Sequence, residues 1–162
     1  MKRILAMILT VFLLSGCDPG WSYRPHDPGT SRSGQYQYRF AETDGVETTV
    51  SCRLFSMGLT IGIKIVNHGP GSLSVAPELL SVQDARGNKL ERVGGHCDAS
   101  KDGEKFVLDA GKSCEVVGRF QVNPLSGPFP NPDLKNVTVV MDGLARDGKQ
   151  IPLKRVLDKD TD

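Results

Sequence analysis

In Val46 to Leu54 and again in Leu59 to Ile65 the apolar side chains recur at intervals of two. Val46, Val50, Cys52 and Leu54 share one phase and Glu47, Thr49, Ser51 and Arg53 the other; Leu59, Ile61, Ile63 and Ile65 repeat the pattern against Thr60, Gly62, Lys64 and Val66. An extended chain turns successive side chains to opposite faces, so each run predicts a strand with one buried face. Ser56-Met57-Gly58 between the runs is short enough for a hairpin, and Asn67-His68-Gly69-Pro70-Gly71 after them is a turn-forming cluster.

The chain continues as short apolar runs between breakers. Leu79 to Asp84 and Lys89 to Val93 flank Ala85-Arg86-Gly87-Asn88, a predicted hairpin with residues suited to left-handed positions. Lys105 to Leu108 leads into Asp109-Ala110-Gly111-Lys112. Cys114, Val116, Gly118 and Phe120 then alternate with Glu115, Val117 and Arg119. Val137 to Met141 is rich in branched residues, and Gln150 to Leu157 follows the turn Arg146-Asp147-Gly148-Lys149. No window repeats apolar residues at helical spacing over ten positions. Seven or eight short strands divided by glycine and proline predict an all-β, antiparallel β-sandwich.

The order of these pieces resembles the immunoglobulin-like sandwiches of bacterial envelope proteins. The resemblance rests on a strand ending at Asn67 and Gly69, a hairpin over Asp84 to Leu90, and Leu108-Asp109-Ala110-Gly111-Lys112-Ser113 entering a strand that ends at Phe120. It covers about residues 36–157 and implies an immunoglobulin-like fold without the buried tryptophan of antibody domains, because the single Trp is at position 21. Fold does not carry function with it.

The N-terminus has the three zones of an export signal. Lys2 and Arg3 are basic, Ile4 to Leu14 is apolar apart from Thr10, and small residues follow. Eleven residues are too few to cross a bilayer, since a spanning helix needs about 20. The run Leu14-Ser15-Gly16-Cys17 resembles the lipobox of bacterial lipoproteins, which implies a diacylglyceryl group on the Cys17 thiol, cleavage before it and acylation of its new amine. Several acyl chains hold a protein to a membrane far better than one. In enterobacterial lipoproteins an aspartate at the next position, as at Asp18, favours retention in the inner membrane. The expected product is a lipid-anchored domain facing the periplasm. An ordinary cleaved signal peptide is the alternative.

The chain has 162 residues, and loss of residues 1–16 leaves 146, enough for one domain and a tail. Of 20 basic residues two leave with the leader, so 18 face 19 acidic ones and the net charge becomes −1. That balance gives no electrostatic footprint for nucleic acid and no polybasic membrane patch. Residues 18–35 are rich in Pro, Gly, Ser and Arg and poor in aliphatic side chains, the composition of a flexible tether. Trp21 and Tyr23 interrupt it: the two rings could rest in the headgroup zone, the reading favoured here, or Trp21 could dock on the domain. The expected division is a leader at 1–16, an acylated cysteine and tether at 17–35, and the sandwich at 36–162.

Cys52, Cys97 and Cys114 remain, in a compartment where disulfides persist. A Cys97–Cys114 bridge would pin the glycine-rich stretch Gly94 to Ser100 to a strand, contributing about 3 kcal/mol by loop-closure entropy and leaving Cys52 a buried thiol. A Cys52–Cys114 bridge through the core is the rival. His96 beside Cys97 lacks the ligand spacing of a zinc site, so neither a metal nor a cofactor is expected.

No catalytic set emerges either. There is no GxSxG elbow, and Gly111-Lys112-Ser113 fails as a phosphate loop because Phe106 stands where the earlier glycine belongs. Asp84, Glu91, Asp98, Asp102 and Glu104 read as solvated loop charges. No small-molecule substrate is evident. Asn123 to Pro132 holds four prolines and the apolar residues Leu125 and Phe129, a stiff candidate binding loop whose phenylalanine could equally plug the open end of the sandwich. The chain reads as a non-enzymatic module contacting another periplasmic or envelope protein. An inhibitor or immunity lipoprotein that blocks a lytic enzyme is the alternative.

Overall fold

A computed structural model of the chain describes residues 21–26, 30–34, 36–55, 58–100, 104–122 and 132–160. The strands are β1 Trp21–Pro25, β2 Ser31–Gly34, β3 Gln37–Thr43, β4 Val46–Phe55, β5 Gly58–Asn67, β6 Leu73–Val75, β7 Leu80–Asp84, β8 Arg92–Cys97, β9 Phe106–Leu108, β10 Ser113–Gln121, β11 Asn136–Met141, β12 Leu144–Arg146, β13 Lys149–Gln150 and β14 Leu153–Lys159. One turn of 3-10 helix, Pro77–Leu79, precedes β7. All strand pairings are antiparallel.

The alternation between Val46 and Ile65 becomes the central hairpin. β4 and β5 pair from Val46↔Asn67 to Phe55↔Gly58. Val46, Thr48, Val50, Cys52 and Leu54 all point inward with the even phase of β4. On β5, Leu59, Ile61, Ile63 and Ile65 are fully buried. Burying each such aliphatic side chain is worth about 1.5–3 kcal/mol. β10 adds on the far side of β5, from Ser113↔Val66 to Gln121↔Gly58, and contributes Cys114, Val116 and Phe120 to the same core.

The main sheet runs β7-β11-β14-β1-β4-β5-β10-β8, with β3 on β4 and β2 on β3. It curls into a nearly closed barrel. After β7 the chain stays paired, with Leu90 N–H donating to the Val82 carbonyl at 2.9 Å, and then reaches β10, where Gln121 N–H donates to the Glu91 carbonyl at 2.9 Å. Residues 89–91 thus link the two ends of the sheet. A second sheet, β13-β12-β6-β9, supplies Leu73, Val75, Leu108 and Leu144 to the same hydrophobic cluster, and Ile151 joins them from the connection after β13.

This architecture is all-β and antiparallel, as the sequence predicts, but the described residues form 14 strands instead of seven or eight, and the nearly closed main sheet departs from a plain two-sheet immunoglobulin-like sandwich. The cause is β1, which lies in the stretch expected to be a tether. Trp21 and Ser22 pair with Leu54 and Arg53 of β4, whereas Tyr23, Arg24 and Pro25 pair with Lys159, Asp158 and Leu157 of β14. One five-residue strand therefore joins what would be two facing sheets into one. Tyr23 is fully buried and its hydroxyl donates to the Leu134 carbonyl at 2.9 Å. A single buried aromatic with a satisfied hydroxyl holds β1 although its neighbours look like linker.

β3 also escaped the sequence reading. It joins β4 through Asp44 and Gly45, both left-handed at φ 50° and 73°. Two such residues form the mirror-image turn whose twist suits a hairpin. The Asp-Gly pair was the signal that could have revealed it.

Candidate functional site

β8 is an edge strand of the main sheet. It pairs with β10 on one side, from Cys97↔Val116 to Arg92↔Phe120, and no described strand pairs with its other side. Val93, Gly94, Gly95 and His96 are all exposed, Val93 to 58%. The sequence reading placed most of this stretch in a loop, because its glycines hide the alternation.

Both ends of β8 are fixed. At its start the Arg92 guanidinium donates to the Pro77 carbonyl at 2.7 Å. At its end Asp98 N–H donates to the Glu115 carbonyl at 3.2 Å, and the Asp98 carboxylate accepts the Glu115 N–H at 2.8 Å. The strand is held in register while its outer side stays open. An open edge offers backbone donors and acceptors to another extended segment; β8 carries no Pro or Lys, and its register is interrupted at Val93, the extra residue between the Gly94↔Arg119 and Arg92↔Phe120 pairs.

Cys97 and Cys114 lie beneath this edge, both buried. They are not bonded to each other, and Cys52 is free as well. The expected Cys97–Cys114 bridge is not seen in this structure, where register sets the two apart. Cys97 stands opposite Val116, so Cys114 is its diagonal neighbour, and diagonal Cα atoms lie about 7–8 Å apart, beyond the reach of an undistorted disulfide. The rival pairing fails on distance, because β5 separates Cys52 on β4 from Cys114 on β10 by two strand spacings of about 4.8 Å each.

Burial sets the chemistry of these thiols. It pushes Cys114 up to about 12, helped by the neighbouring Cys97 and Asp98. Cys52 is raised well above its ordinary value by burial alone. Cys97 is also raised by burial, against hydrogen bonds from the Ala99 and Ser100 backbone. The thiolate is the nucleophile and metal ligand, so at neutral pH these groups behave as small hydrophobes. His96 projects from the opposite face of β8 to Cys97, exposed. Among the described residues no three His, Cys, Asp or Glu side chains converge to hold a metal.

The acidic residues separate by role. Asp84 is buried and caps the turn after β7: its carboxylate accepts N–H groups of Arg86 and Asn88 at 2.9 Å, the Asn88 side chain at 3.1 Å and Asp133 N–H at 3.2 Å. Desolvation raises its pKa, but these donors outweigh it and hold the carboxyl below the usual range.

A cleft of about 530 Å³ is lined by Asp44, Arg146, Asp147, Lys149 and Ile151. Its arginine is engaged in the fold. The Arg146 guanidinium donates to Asn67 Oδ1 at 2.5 Å and to the Asp44 carbonyl. Asn67 is fully buried and its amide donates to the Leu108 and Gly71 carbonyls at 2.9 and 3.0 Å. This chain of bonds ties the β12–β13 hairpin to the end of β5.

Cys17, Leu125 and Phe129 lie outside the described residues, as do Asp102 and the rest of 123–131. The chain leaves the sheet at Val122, beside Gln121↔Gly58, and returns at Pro132. Trp21 is 52% exposed at this same end, with Lys159 Nζ 4.0 Å from its ring centroid. No described helix is long and apolar enough to cross a membrane. Comparison with family models, curated proteins and solved structures found no match.

Proposed function

We propose that the chain is a lipoprotein, held by acyl groups on Cys17 and facing the periplasm, whose β domain binds another envelope or periplasmic protein by adding one of that protein's extended segments to β8. The inner membrane is favoured by Asp18. The observation that carries the reading is the edge of β8, fixed at Arg92 and Asp98 and exposed between them. Main-chain hydrogen bonds would supply affinity in such a complex, and Val93 and His96 would supply selectivity on the two faces. The buried, protonated thiols and the structural roles of Asp84 and Arg146 favour a non-enzymatic module.

The test is affinity purification from native membranes of the wild type, Val93→Lys and, as control, Val107→Lys on β9. Val93 and Val107 are 58% and 64% exposed, so neither change disturbs the core. A lysine on an edge strand disfavours strand addition. Partners lost from Val93→Lys and kept by Val107→Lys support the reading. An unchanged partner set in both removes β8 as the binding edge.

A further inference from the structure

We propose that the end of the barrel bearing Trp21, Phe55 and Lys159 lies against the membrane that holds the chain's own acyl groups, with these three side chains in the headgroup zone. This rests on the lipid-anchor reading.

The first support is reach. A tether spanning residues 18–35 would let the domain stand about 60 Å from its anchor at the 3.3–3.6 Å per residue of a fully extended chain. Trp21, however, already belongs to a strand paired with β4 and β14. Only four Cα steps separate it from Cys17, a span of at most about 14 Å. The domain is therefore confined to the membrane surface, and the end that carries Trp21 must face it.

The second support is what this end presents. Trp21 and Phe55 are 52% and 43% exposed. They lie at one end of the sheet, because Trp21 pairs with Leu54, the residue before Phe55, and the two rings project from its opposite faces there. Lys159 lies across the indole with its Nζ 4.0 Å from the ring centroid, and the Asp160 carboxylate beside it sits 3.9 Å from the Arg24 guanidinium. Indole rings favour the membrane interface, and a lysine beside them can lay its stem on apolar groups while its ammonium meets lipid phosphate.

Trp21 is the only tryptophan in the chain, so intrinsic fluorescence reports on this end alone. The experiment places the full mature protein in phosphatidylcholine–phosphatidylglycerol vesicles with either plain chains or chains brominated near the carbonyl, and records its intact mass. We expect acylated Cys17 and about twofold or greater quenching of Trp21 by the brominated lipid, as for an indole seated at the interface. Phe55→Ser with Lys159→Glu should weaken that quenching. A photo-crosslinker at position 55 in native membranes should give lipid adducts. An acylated protein with unquenched Trp21, or a protein adduct at position 55, overturns the inference and leaves the anchor standing. A mass without fatty acid overturns both.

Discussion

Replacing Tyr23 tests whether the strand that sets the architecture is part of the cooperative fold. The residue lies on β1, between β14 and β4 in the sheet; its side chain is fully buried in the core, and its hydroxyl donates to the Leu134 carbonyl. Loss of a buried aromatic ring to alanine costs about 3–5 kcal/mol, and loss of one hydrogen bond about 1 kcal/mol. Tyr23→Phe should therefore cost about 1 kcal/mol by removing the bond alone. Tyr23→Ala should cost about 4 kcal/mol or more, lowering Tm by about 10–15 °C in a domain of this size. Urea denaturation of the mature protein, followed by far-ultraviolet circular dichroism and Trp21 fluorescence, measures both. If Tyr23→Ala costs under about 1 kcal/mol, well below what emptying a packed site requires, β1 is a loosely held tail. The tether would then be long again and the limit on membrane distance would disappear.

Three further outcomes follow from the same structure. Asp84 has a depressed pKa, so its contribution to stability is complete above the unfolded value near 4 and is lost as pH falls through the folded one; Asp84→Asn should flatten the acid limb of a stability–pH profile, and an unchanged limb would show that the turn is not held by charge. In native protein at neutral pH, Cys52, Cys97 and Cys114 should resist alkylation and react only on unfolding; uptake of one label instead of three by unfolded, unreduced protein would mean that oxidation had joined Cys97 to Cys114 despite their register. A Cβ on Gly69 would lie 2.2 Å from the Arg146 guanidinium, so Gly69→Ala should displace it and cost about 2 kcal/mol by stranding buried Asn67. Gly94→Ala, where nothing lies within 4 Å, is the control, and equal thermal shifts for the two would refute the latch.

The legible part of this protein is the part whose burial is one-sided and regular. Val46 to Leu54, Leu59 to Ile65 and Cys114 to Phe120 each announce a strand because one face meets the core and the other meets water. The turn at Asp147-Gly148 is local for the same kind of reason, since left-handed backbone selects its own residue types. The composition and alternation thus determined an all-β chain with a central hairpin, and the N-terminal residues determined the expectation of a lipid anchor.

Other features depend on partners distant in sequence. β1 has too few apolar residues to look like a strand, and it becomes one by pairing with β4 and β14, which carries Tyr23 into the core. β8 is masked by its glycines and is set by ladder bonds to β10. The cysteine phases were readable, yet disulfide geometry turns on register, a property of two strands together. Closure into a near-barrel and the exposed edge at β8 are likewise decided by pairing between remote segments, whose energies no local window of sequence contains.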